Sequence, residues 1–136
     1  MGLRDAVAIL TLYQTGIRIN TLGLMEEKHI CFDTLTLKLD GSILKNHKML
    51  QLPIDKKLAD LLKVLLGQNE KVRQYYNQGN KNVFISQKGT PLVTKSTNNA
   101  ISKQLNKYAN QYGLQNVNPH AIRRGFAKNF DKFYLQ

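Results

Sequence analysis

Three short stretches of this sequence place cationic and proton-carrying side chains where they could work on a phosphate. His120-Ala121-Ile122-Arg123 sets an imidazole and a guanidinium at i and i+3, on one face of a helix that Pro119 would open. A helix N-terminus itself favours anions. A phosphate held there would meet a planar two-pronged donor, a second donor able to move a proton, and a helix dipole. The same residues also read as a surface histidine beside a solvated arginine. Arg18 lies in Gln14-Thr15-Gly16-Ile17-Arg18-Ile19, flanked by apolar residues directly after a helix break. An arginine in such company is expensive unless paired or functional, so a structural salt bridge and an anion clamp both fit. Lys45 sits with His47 and Lys48 at the tip of an expected hairpin. A lysine there can reach a bound backbone and give a proton to a leaving oxygen, although an ordinary solvated turn lysine also fits.

Other chemistries lack their residues. There is no glycine-rich phosphate loop and no HExxH. The only adjacent carboxylates, Glu26-Glu27, do not face each other on a helix and read as surface. Metal-dependent nuclease chemistry has no ligand set, and His29 two residues from the lone Cys31 is too little for zinc, so no metal or cofactor is expected. One cysteine excludes an internal disulfide and fits a reducing compartment. No apolar run approaches the roughly 20 residues that span a bilayer, and Met1-Gly2-Leu3-Arg4-Asp5 is no signal peptide.

The elements that must position these residues follow from periodicity. Leu3 to Gln14 reads as a buried helix ended by Thr15-Gly16, and a short second helix fits Arg18 to Leu24 with Ile17, Leu22 and Leu24 inward. His29-Ile30-Cys31-Phe32 and Leu35-Thr36-Leu37-Lys38-Leu39 read as strands, with Asp40-Gly41 as a hairpin signal. Ile43-Leu44 and Met49-Leu50-Gln51-Leu52 suggest another strand pair around the Lys45 turn, ended by Pro53. Asp55 caps a helix on Leu58, Leu61, Leu62, Leu65 and Leu66; Gly67 and Gly79 punctuate a polar stretch that holds a short helix around Glu70–Tyr76. Val83-Phe84-Ile85 reads as a short buried strand and Lys88-Gly89-Thr90-Pro91 as a turn. Ser96 or Thr97 would cap a helix running to Tyr112. The class is α+β, mostly helical with a small three-stranded antiparallel sheet, in one domain over residues 1–136.

The charge is one-sided. Twenty Lys+Arg against nine Asp+Glu give +11. Residues 1–70 carry nine basic and eight acidic side chains, whereas residues 71–136 carry eleven basic and only Asp131. Such a half-chain points to a polyanion, most simply nucleic acid. A solvated basic surface, or lysine enrichment from an A·T-biased genome, is the alternative.

Taken in order, these stretches resemble the catalytic domain of the tyrosine recombinases, the phage and transposon integrases, from about Arg4 to Ala127. Thr15-Gly16-Ile17-Arg18-Ile19 is similar to that family's first arginine box. Lys45, eight residues before Pro53, falls where its hairpin lysine falls, and Pro119-His120-Ala121-Ile122-Arg123-Arg124-Gly125-Phe126-Ala127 is similar to its second box. The resemblance implies a metal-free transesterification of DNA through a 3′-phosphotyrosyl intermediate, with Arg18, Lys45, His120 and Arg123 as catalytic residues. It further implies double-stranded DNA as partner, touched by Lys48, Lys95, Thr97 and Arg124, self-association on DNA into a tetrameric synapse, and a bacterial, cytoplasmic, nucleoid-associated setting without membrane contact. The four catalytic side chains should converge on one concave basic face.

Two departures stand out. Thr21 follows Arg18 by three residues, where the family usually has an acid. Only thirteen residues follow Arg123, too few for the family's third box and nucleophile at their usual distance, and Tyr134 is not assigned as that nucleophile. The expectation is a catalytic domain cut before its nucleophile and inactive alone. A non-enzymatic basic DNA-binding module or a decayed integrase remnant is the alternative. An RNA-binding protein is a poorer fit, since no strand carries an RNP-type aromatic pair and no GxxG loop occurs.

Overall fold

The computed structural model describes residues 2–41, 43–44, 48–92, 101–104 and 107. Helix α1, Leu3–Thr15, buries Val7, Ala8, Thr11 and Leu12 on one face and stops where Gly16 turns left-handed at φ 69°. That conformation suits glycine, and it lets the Gly16 N–H return to the Leu12 carbonyl. Helix α2, Ile19–Leu24, follows at once with Arg18 as its extended N-cap residue. Ile17 and Leu22 are buried as expected, but Leu24 is about half exposed, because the helix turns that side to solvent after Gly23.

A single 3₁₀ turn, Glu27–His29, leads into β1, Ile30–Cys31, and the sheet continues with β2, Thr36–Leu39, and β3, Leu50–Pro53. The order is β1-β2-β3, antiparallel throughout, which gives the expected α+β class. Leu37 faces Ile30 on one side and Leu52 on the other, so Leu37 and Leu39 enter the core while Lys38 points out. This burial sets the register, since slipping by one residue would expose both leucines. The tight turn lies between β1 and β2, with Leu35 at φ 51°. Asp40-Gly41 instead begins the connection between β2 and β3. The Asp40 carbonyl accepts from the N–H groups of Ile43 and Leu44, so these two residues join a turn rather than the expected strand. Pro53 ends β3 on the sheet edge, where its missing N–H costs no ladder bond.

Helix α3, Lys56–Tyr76, is capped by Asp55, whose carboxylate accepts from the Leu58 N–H at 2.7 Å. It runs straight through Gly67, expected as a break. Its inner stripe explains why: Leu58, Leu62 and Leu65 continue at helical spacing into buried Asn69 and Arg73. Packing along this whole stripe outweighs the roughly 1 kcal/mol that one glycine costs a helix. Asn77 at φ 54° ends the helix. Val83, Phe84 and Ile85 are buried, yet they join the fold through isolated bridges, Glu26 with Asn82 and Ile85 with Pro91, rather than as a sheet strand. The core unites α1, α2, the sheet, α3 and this segment around Leu12, Leu22, Leu37, Leu62 and Phe84. Residues 101–104 are helical and Ile101 is fully buried, within the helix expected to reach Tyr112.

Candidate functional site

Of the residues expected to act on a phosphate, the structure describes Arg18 and Lys48. Lys45, Lys95, Thr97, His120, Arg123 and Arg124 lie outside the described residues, and so does the expected convergence of the four catalytic side chains.

Arg18 is exposed at the N-cap of α2. The sequence left open whether it serves a structural salt bridge. Among the described residues it pairs with no carboxylate, and α2 carries no acid in its first turn. A surface guanidinium with no carboxylate partner among the described residues remains available to a phosphate.

The backbone beneath it is firmly built. Gln14 and Asp55 bond reciprocally: the Gln14 amide donates to Asp55 Oδ2 at 2.8 Å and the Asp55 N–H donates to Gln14 Oε1 at 3.1 Å. The end of α1 is thereby tied to the start of α3, immediately before the Thr15–Ile19 box. Buried Thr15 donates to the Thr11 carbonyl at 2.6 Å, and the Ile17 side chain is buried. Downstream, the Val83 N–H donates to the Met25 carbonyl and the Glu27 N–H to the Lys81 carbonyl, so the 81–85 segment clamps the far end of α2.

That clamp rests on a polar knot the sequence reading missed. Arg73 is 2% exposed, and its Nη2 lies 2.6 Å from Glu27 Oε1. Its Nη1 donates to the Asn82 carbonyl at 3.1 Å, and Asn69 donates to the Val83 carbonyl at 2.7 Å. Glu27 is thus no solvated carboxylate; it neutralises a buried cation 46 residues away. The detectable signal was the α3 stripe: carried past Leu65 at helical spacing, it reaches Asn69 and Arg73.

Lys48 is exposed just ahead of β3. The Cys31 thiol is held below the ordinary thiol range, first by a hydrogen bond from the Thr34 side chain, then by the Thr34 backbone, with Lys38 adding to the effect. Among the described residues no group of three or more His, Cys, Asp and Glu side chains could hold a metal ion, and no helix is long and apolar enough to cross a membrane.

The model of the family described as the phage integrase family matches residues 1–132. The chain is 30% identical over 130 residues to a tyrosine recombinase XerD of Lacticaseibacillus casei, covering 93% of this chain and 41% of that protein. It is 24% identical over 127 residues to a tyrosine recombinase XerD of Chlamydia pneumoniae, covering 93% and 39%. The chain therefore spans about two fifths of the length of the curated relatives it matches. In fold it is similar to a crystal structure of XerA recombinase, with a TM-score of 0.71 at 17% identity over 94% of this chain and 42% of that one. It is also similar to a Tn1549 transposon integrase in complex with transposon right end DNA, with a TM-score of 0.69 at 16% identity over 98% and 48%.

Proposed function

Because the chain belongs to the phage integrase family, we propose that it is part of the DNA breaking-and-rejoining domain of a site-specific recombinase, acting on double-stranded DNA. The family match over residues 1–132, which takes in both arginine boxes, carries this reading.

The chemistry is a pair of transesterifications. A tyrosine hydroxyl oxygen bonds to phosphorus while the bond to the 5′ oxygen breaks, leaving a 3′-phosphotyrosyl link; a 5′-hydroxyl of another strand then attacks that link and frees the tyrosine. Bond energy is kept in the covalent intermediate, so no ATP is needed. Arg18 and Arg123 clamp the non-bridging oxygens as charge builds on phosphorus, and losing one preorganised donor of this kind costs roughly 10²–10³ in rate. Lys45 gives a proton to the leaving 5′ oxygen and His120 assists proton movement at the nucleophile, each worth about 10²–10⁴. Lys48, Lys95, Thr97 and Arg124 contact the DNA backbone, which positions the duplex without specifying its sequence. Residues 1–136 act as a single catalytic domain that supplies the phosphate-activating groups, and none of their tyrosines is assigned as the nucleophile. The active assembly is a tetrameric synapse on DNA in the bacterial cytoplasm.

Two assays test this. Mixed with a nicked suicide duplex, the 136-residue chain forms no covalent adduct; a trapped phosphotyrosyl product would overturn the missing nucleophile. In duplex binding, Arg18→Ala and Arg123→Ala each weaken affinity and lower the salt slope by about 1. Binding that survives Arg18→Ala, Lys45→Ala and Arg123→Ala unchanged would point instead to a non-enzymatic DNA-binding module.

A further inference from the structure

Among the described residues, Arg18 has no side-chain partner to aim it. Among the described residues no carboxylate lies within ion-pairing distance, and the residue one turn along α2 is the uncharged Thr21. Where the guanidinium stands is then decided by the backbone, that is, by where α2 begins and how it is oriented. A helix of six residues cannot hold itself; it keeps its place only through what it packs against.

On its N-terminal side α2 is fixed by buried Ile17 and the Gln14–Asp55 pair. On its C-terminal side the carbonyl of buried Gly23 is one of the last-turn acceptors that a helix cannot satisfy internally. The Asn82 side-chain amide donates to it at 3.2 Å, from 59 residues away. Asn82 is itself mounted rigidly. Its N–H donates to Asn80 Oδ1 at 3.2 Å, its carbonyl accepts from Arg73 at 3.1 Å, and it bridges to Glu26. The amide thus passes the position of α3, through Arg73, to the helix that starts at Arg18.

We propose that Asn82 is a positioning residue for Arg18: its amide holds α2 by the Gly23 carbonyl and so sets where the guanidinium meets a phosphate. The inference rests on Arg18 being a phosphate ligand, as proposed above.

A double-mutant cycle on the chain as it stands tests both links, read as affinity for a mixed-sequence DNA duplex over a salt series. Arg18→Ala weakens binding about tenfold, the worth of one charge-assisted hydrogen bond to a phosphate. Asn82→Ala in the wild-type background gives a several-fold loss and a shallower salt slope. In the Arg18→Ala background it changes neither, because its effect passes through that side chain. Asn82→Leu is the second variant: it roughly keeps the volume, the net charge and the main-chain contact with Arg73 but cannot donate to Gly23, and it behaves as Asn82→Ala does. Thermal melts run alongside separate lost binding from lost fold. Full additivity of the Asn82 and Arg18 losses would overturn the positioning role while leaving Arg18 a phosphate ligand. No effect of Arg18→Ala alone would overturn the phosphate role and this inference with it.

Discussion

Removing Glu27 tests the polar knot under α2 most directly. In the wild-type chain Arg73 is 2% exposed and has Glu27 Oε1 at 2.6 Å and Glu70 Oε2 at 3.7 Å. Glu27→Ala strands that cation with the more distant, half-exposed Glu70. Breaking a buried pair by deleting one partner costs 3–5 kcal/mol. The Glu27 side chain is 30% exposed, so water reaches the site and the expected loss is about 2–3 kcal/mol. Against a total stability of roughly 5–15 kcal/mol, that is large. Glu27→Gln keeps the volume and one acceptor and costs about half as much. Urea unfolding followed by circular dichroism measures both: the midpoint falls while the m-value stays constant. The loss persists in high salt, since a buried pair is poorly screened. A Glu27→Ala unfolding free energy within about 0.5 kcal/mol of wild type, the range of an ordinary surface change, would refute the account of Glu27 as the counter-ion of a buried arginine.

Further outcomes follow from the same geometry. Gly16→Ala forces a Cβ into a left-handed turn and costs about 1 kcal/mol, whereas Gly67→Ala, within α3 and facing open space, stabilises by roughly 0.5–1 kcal/mol; melts of the two variants should move in opposite directions. Leu62→Ala, at a fully buried core position in α3, costs about 2–5 kcal/mol in urea unfolding, while Val64→Ala, two residues away and more than half exposed, stays within about 0.5 kcal/mol. Iodoacetamide alkylation of Cys31, followed across pH, has its midpoint below that of the same cysteine in the urea-unfolded chain, because Thr34 stabilises the thiolate; Thr34→Val moves the midpoint up by removing the side-chain bond and keeping the backbone one.

What was legible in the sequence was local or periodic. The end of α1 at Gly16, the Asp55 cap of α3 and the buried leucine stripe from Leu58 each depend on residues within a turn or two of one another, so their signals sit side by side in the chain. The three-stranded antiparallel sheet was legible from alternation at Leu37 and Leu39. The ordered Thr15–Ile19 box, Lys45 and the Pro119–Ala127 box identified the family that the match over residues 1–132 bears out.

Tertiary structure decided the rest, wherever the partners lie far apart in sequence. Asp40-Gly41 has the composition of a tight hairpin, but the pairing of Leu39 with Leu50 leaves a long connection there, because burying Leu37 and Leu39 takes precedence over local turn preference. Gly67 reads as a break, yet one continuous stripe packs on the core from Leu58 to Arg73. Glu27 reads as solvated until Arg73 closes on it across 46 residues, and Asn82 shows no signal at all until its amide meets the Gly23 carbonyl. For Arg18, the sequence could name an arginine that needs a reason among apolar neighbours. Only the fold could show that no described carboxylate supplies that reason and that the guanidinium faces solvent, since a charge's partner is chosen by proximity in space, to which neighbours along the chain are a poor guide.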